Sequence, residues 1–155
     1  MIKVRTEVEI EAPIDIVWQI LTDFRRYEEW NPFIRQIEGP LKVGQKLRVV
    51  LGNPARGEAG GMAFRPKVVK VENGRAFHWL GRTLVPGLMD GEHIFALEAV
   101  DEKTTRFIHG EDYRGLLVRL FGRFVPDDGH PNYVAMNNAL KEFAESVYMG
   151  TISQT

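Results

Sequence analysis

The chain has 155 residues, 44% hydrophobic and 26% charged, with a formal net charge of −1 at pH 7. That length suits one domain spanning 1–155, the composition is ordinary for a globular protein, and the near-zero charge offers no basic field to hold a nucleic acid. Cysteine is absent, which removes disulfides, thiolate nucleophiles and cysteine-ligated metals.

In chain order, Val4, Thr6, Val8 and Ile10 alternate with Lys3, Arg5, Glu7 and Glu9, the period of a half-buried strand with one wet face. The same alternation is unlike a signal peptide. Ala12-Pro13 ends the strand, and Ile14, Val17, Trp18 and Leu21 then recur at helical spacing, with Asp15 in the first turn. Thr22-Asp23 is expected to break that helix and cap a second short one over 24–30, which Asn31-Pro32 stops. Strands are predicted at 34–38, 45–51, 62–71, 76–80, 92–100 and 105–113. Asn73-Gly74 is the clearest hairpin signal, since both residues tolerate positive φ. Four glycines and a proline between Gly52 and Gly61 read as a mobile loop at a sheet edge.

Beyond Tyr113 the pattern changes. Leu116, Leu117, Leu120, Phe121 and Phe124 form an apolar segment broken by Pro126-Asp127-Asp128-Gly129-His130-Pro131. Tyr133, Met136, Leu140, Phe143, Ala144 and Val147 then follow a 3/4 spacing, opposite Lys141, Glu142 and Glu145. A long helix over 132–148 is predicted, with Asn132 as N-cap and Gly150 as its stop. No stretch approaches the ~20 apolar residues a transmembrane helix needs, so a soluble cytoplasmic protein is expected. Strands joined by short turns favour an antiparallel meander, with one face left for the long helix to cover. The fold class is α+β.

That element order, together with Ala12-Pro13, Ile16-Val17-Trp18, Leu21-Thr22-Asp23-Phe24, Tyr27 and Trp30-Asn31-Pro32-Phe33, resembles the START-like or Bet v 1-like superfamily (SRPBCC), also called the helix-grip or polyketide cyclase/dehydrase-like group. The resemblance covers nearly the whole chain, and the strand pair 92–100 and 104–110 looks like the family's paired late strands. It implies a curved seven-stranded antiparallel sheet gripping the last helix, two short helices after strand 1, and a cavity that commonly takes lipids, polyketides, sterols or other apolar molecules. The chain departs from the pattern at 115–131, which is longer than a minimal connection and is expected to form a lid or half-helix at the cavity mouth.

Among polar residues, His93, His109 and Glu111 stand out. If 100–104 is a hairpin turn, Leu97 lies near Phe107, Phe95 near His109 and His93 near Glu111, and alternation puts all six on the face under the helix. Three roles are open to the polar three: structural hydrogen bonding, ligand orientation or acid–base work, and metal ligation. Ligation is the least favoured, because no residue sits in a diagnostic spacing. His78, between Phe77 and Trp79, is expected to face outward, leaving Trp79 as a cavity wall. Arg65 and Arg82 could meet an acidic group on a ligand but read first as surface residues, and Asp112 and Arg114 as an ion pair or cap. Asp127, Asp128 and His130 are first of all turn chemistry.

No GxSxG, P-loop, GxGxxG or HExxH motif occurs, and no cofactor is implied. Three functions follow. The first is binding of a hydrophobic small molecule by Trp79, His93, Phe95, Leu97, Phe107, His109, Glu111, Tyr133, Met136 and Leu140. The second is a cyclase- or dehydratase-type enzyme using a cavity histidine or Glu111 as acid or base. The third is a protein-interaction module with no enclosed cavity.

Overall fold

The structure, a computed structural model, describes residues 1–82, 85–122 and 129–154, with the side chains of residues 59, 60, 121, 129 and 130 outside that description. A first strand, β1 (Ile2–Ile10), leads into α1 (Ile14–Thr22), a 3-10 turn at Phe24–Arg26 and a single-turn α2 (Tyr27–Trp30). Seven more strands follow among the described residues: β2 (Ile34–Glu38), β3 (Arg48–Asn53), β4 (Glu58–Phe64), β5 (Lys67–Glu72), β6 (Ala76–Arg82), β7 (Asp90–Asp101) and β8 (Thr104–Arg114), all paired antiparallel. Then come α3 (Leu116–Phe121) and the long α4 (Gly129–Ile152). No described helix is long and apolar enough to cross a membrane.

The strands form a five-stranded sheet in the order β1-β8-β7-β6-β5 and a three-stranded sheet β2-β3-β4. The two are stitched by the segment just before β3, where Val68 N–H donates to Gln45 O at 2.8 Å and Leu47 N–H to Pro66 O at 3.0 Å. The strand predicted over 62–71 is therefore two strands. Pro66 has no N–H for a ladder, so the run breaks at Arg65-Pro66 and its halves pair with different partners. The glycine-rich segment expected as a loop is a 3-10 turn, Pro54–Arg56, followed by the start of β4.

Local signals explain most boundaries, with three corrections. The 24–30 helix is split into a 3-10 turn and a single α-helical turn, and Asp23 makes no capping bond; its carboxylate holds Arg25 Nε at 3.1 Å. Gly74 takes the left-handed conformation at the β5–β6 turn (φ +77°), whereas among the described residues no non-glycine residue has positive φ, Asn73 included. The long helix begins at Gly129, not Asn132, because Pro131 falls in its first turn, where an N–H has no intrahelical partner. Asn132 instead accepts from Ala55 N–H at 3.1 Å through Oδ1. The helix also runs through Gly150 to Ile152.

Along α4, Tyr133, Met136, Asn137, Leu140 and Ala144 are buried at the spacing of one helical face. They close on an aromatic layer of the sheet in which Phe77 stacks on Phe95 (centroids 4.4 Å apart) and Trp79 meets Phe95 edge-on at 4.8 Å. Each fully buried side chain of this size contributes about 1.5–3 kcal/mol. The middle of α4 is tied to β1 by Lys141, whose Nζ donates to Glu9 O at 2.8 Å.

Candidate functional site

The β7–β8 hairpin sets the site. Its register pairs Leu97 with Phe107, Phe95 with His109, His93 with Glu111 and Gly91 with Tyr113, so these side chains share the inner face. The first three pairs are those expected from a turn at 100–104. β6 adds Trp79 opposite His93 and Gly81 opposite Gly91. His78 falls on the outer face, with Nδ1 2.8 Å from Glu92 Oε1.

His93 does not hydrogen-bond the carboxylate it faces. Its Nε2 lies 2.7 Å from His109 Nε2, whereas Nδ1 stands 3.8 Å from Glu111 Oε2. Behind His109, Nδ1 is 2.9 Å from Asn137 Oδ1, Asn137 Nδ2 donates to Thr6 Oγ1 at 2.9 Å, and Thr6 Oγ1 donates to the His109 carbonyl at 3.0 Å. Burial pushes the His93 imidazole down to about 3, with a smaller electrostatic push from His78. His109 is also held well below the usual range by burial and by His93, against smaller opposing bonds from Asn137 and the Tyr133 backbone. A neighbouring carboxylate ordinarily favours a charged histidine, but here both imidazoles are held toward the neutral form. Loss of solvation outweighs a carboxylate that is not in bonding contact.

Glu111 is held differently. Tyr133 and Tyr113 both donate to its Oε2, at 2.5 and 2.8 Å. Burial raises its carboxyl above the ordinary value, opposed in part by the two hydroxyls. Both tyrosine hydroxyls are raised in turn, by burial first and then by the Glu111 charge. The other oxygen, Oε1, lies over Gly91, where any Cβ would collide with it.

Beside this cluster opens a pocket of about 400 Å³, lined by Trp79, His93, Glu111, Tyr113 and Tyr133 together with Phe33, Leu51, Met62, Phe64 and Met89, with Gly81 and Gly91 as floor and Arg82 at the side. Asn31 helps place Phe33: its buried Oδ1 accepts from the Phe33 and Ile34 N–H groups at 3.0 and 2.8 Å, folding the Asn31-Pro32 turn. A smaller neighbouring pocket of about 260 Å³ shares Phe33, Leu51 and Met62.

The expected lining residues therefore divide. Trp79, His93, Glu111 and Tyr133 border the pocket, while Phe95, Leu97, Phe107, His109, Met136 and Leu140 are packed into the interior and do not border this described pocket. Arg82, read first as a surface residue, reaches the pocket, half-exposed and 3.8 Å from Asp90 Oδ2; Arg65 is exposed. Asp112 and Arg114 do approach, at 3.8 Å, although Arg5 is the nearer partner of Asp112 at 2.6 Å. Asp127, Asp128 and the His130 side chain lie outside the described residues, as does most of the loop between α3 and α4. Among the described residues no group of histidines and carboxylates is arranged to hold a metal.

Sequence reasoning missed Tyr113 and Asn137. Both carried a signal. Tyr113 continues the β8 alternation two residues past Glu111, and Asn137 is four residues after Tyr133 on the buried helix face, where an amide requires partners.

No curated protein matches the chain. Among solved structures, a START superfamily protein from Mycobacterium smegmatis superposes with TM-score 0.71 at 19% identity, covering 94% of this chain and 98% of its own. The Zhui aromatase/cyclase from Streptomyces sp. R1128 gives 0.63 at 21% identity over 93% of each chain. A protein from Chromobacterium violaceum gives 0.68 at 16% identity, covering 92% and 96%. At these identities the likeness establishes the helix-grip fold alone. The family model described as polyketide cyclase/dehydrase and lipid transport matches residues 1–146, and the chain belongs to that family.

Proposed function

We propose that residues 1–155 act as one START-like domain that binds a hydrophobic small molecule, aromatic, polyketide-like or lipid, in the pocket between β4, β6, β7, β8 and the start of α4. The observation that supports this best is the composition of the pocket wall. Phe33, Phe64, Trp79, Tyr113 and Tyr133 surround it, and Glu111 is its single carboxylate among the described lining residues. Mostly apolar walls with few convergent polar groups characterise small-molecule sites, and Met62 and Met89 allow the walls to adapt. Native mass spectrometry of freshly purified protein, followed by titration with the neutral probe N-phenyl-1-naphthylamine, tests the reading. A co-purifying apolar compound, or saturable probe binding that Leu51→Trp abolishes, is the expected result. Absence of both sinks it.

A second reading, an enzyme of the cyclase or dehydratase kind, draws on one observation: Glu111 stands in the pocket with its carboxyl raised by burial, as suits a proton donor. Under it, Glu111→Gln removes turnover of a cyclisable polyketide analogue and leaves its binding intact. The neutral, inward-turned histidines place the proton on Glu111 in this reading, with His93 and His109 as its support.

A further inference from the structure

Among the described residues, the carboxylate of Glu111 has hydrogen-bond donors but no cation in bonding contact. Its side chain is only 17% exposed, and its bonds come from two neutral hydroxyls on one oxygen. His93 is the nearest basic group, and it stands beyond bonding distance with its Nε2 engaged by His109. Arg82, the one other charged side chain in the described lining, is half-exposed and faces Asp90. Among the described residues none donates to Oε1, which lies over Gly91, itself part of the pocket floor. A buried carboxylate in this state is incompletely compensated. Around it stand the faces and edges of Trp79, Tyr113, Tyr133, Phe33 and Phe64. Electron-rich rings about a fixed negative charge attract a cation and disfavour an anion.

We infer that the pocket takes an apolar molecule carrying a protonated amine, whose nitrogen bonds Glu111 Oε1 while its hydrocarbon part lies against the aromatic walls. This rests on the pocket reading above and narrows its ligand class. The two tyrosines have a defined part in it. By occupying Oε2 they fix the carboxylate with Oε1 over Gly91, so Oε1 is the oxygen offered to a ligand. Burial raises Glu111, and an ammonium group would lower it again, so amine binding releases protons whenever the carboxyl is partly protonated beforehand.

The test is calorimetric titration with three probes of one shape: 2-naphthylmethylamine, 2-naphthylmethanol and 2-naphthoate, at neutral pH. The amine is expected to bind at least tenfold more tightly than the alcohol, and the naphthoate most weakly. Glu111→Gln is expected to erase the amine's advantage over the alcohol, and its circular-dichroism spectrum reports that the variant is folded. Alcohol binding as tight as, or tighter than, amine binding in the unaltered protein overturns the inference and leaves the pocket reading standing. An amine preference that survives in Glu111→Gln also overturns it. If none of the three binds, the pocket reading falls and the inference with it.

Discussion

His93 and His109 meet through their Nε2 atoms at 2.7 Å, diagonally across the β7–β8 ladder. The surrounding bonds dictate which of the two carries the shared proton. Thr6 spends its hydroxyl hydrogen on the His109 carbonyl and so accepts from Asn137 Nδ2. That turns Asn137 Oδ1 toward His109 Nδ1, which must bear a hydrogen. A neutral His109 then has a bare Nε2, and His93 Nε2–H donates to it. His93 Nδ1 is left as an acceptor on the side of Glu111.

The chain of bonds is testable by removing its anchor. Asn137→Ala removes the side-chain acceptor of the buried His109 Nδ1–H and is expected to cost about 1–3 kcal/mol in urea unfolding. Adding His109→Phe should recover part of that loss, since no donor is then orphaned. Strictly additive losses in the double-mutant cycle would show that the two side chains do not interact.

Both histidines should make stability depend on pH. Unfolded, each titrates near ~6.5; folded, both are lowered by burial, His93 to about 3. Between those values the unfolded chain binds more protons. Stability is therefore fully present above about pH 6.5 and is lost as the pH falls toward 3, by at most ~1.4 kcal/mol per pH unit for each histidine. Glu111, raised in the fold, acts with the opposite sign above its unfolded value. Urea midpoints at pH 7 and pH 5 check the balance: the protein should weaken on acidification, and His93→Phe/His109→Phe should lose that dependence.

Paired glycines on neighbouring strands provide an internal control. A Cβ at Gly91 would strike Glu111 Oε1, whereas at Gly81 the nearest atom is Phe64 Cε2 at 3.7 Å, an ordinary contact. Gly91→Ala is expected to displace the carboxylate, lower stability by about 1–3 kcal/mol and weaken binding of the amine probe. Gly81→Ala should leave the carboxylate where it is. Equal effects from both would mean that backbone freedom, not the clash, is what matters.

Tyr133→Phe removes one donor from Glu111 Oε2. Because that hydroxyl lowers the carboxyl while burial raises it, the Glu111 titration should move further upward. Carbon-detected NMR of the side-chain carboxyl would follow it, and Tyr113→Phe should move it the same way. A downward move would contradict the hydrogen-bond geometry.

Much of this was legible in the residues alone. Period-two alternation in β7 and β8, together with a polar turn near Glu102-Lys103, sufficed to pair His93 with Glu111 and Phe95 with His109, because in an antiparallel hairpin the turn position dictates every pairing behind it. The α4 stripe was equally plain, since helical spacing is a local property. Its ends were not: Pro131 reads as a breaker until it is placed in a first turn, and Gly150 reads as a stop until its backbone is found to be helical.

What only the tertiary structure decided is which groups in the shared face touch. Cross-strand register puts His93 opposite Glu111, yet the imidazole bonds His109 on the diagonal. That choice depends on where α4 lays Asn137 and Tyr133 over the sheet. Asn137 takes one end of the histidine pair, and Tyr133, with Tyr113, takes the carboxylate. The location of the described pocket is likewise non-local, for its walls come from β3, β4, the β6–β7 connection and the Asn31-Pro32 turn. Periodicity assigns a residue to a face, but a bond between two side chains on that face is determined by the element packed across it.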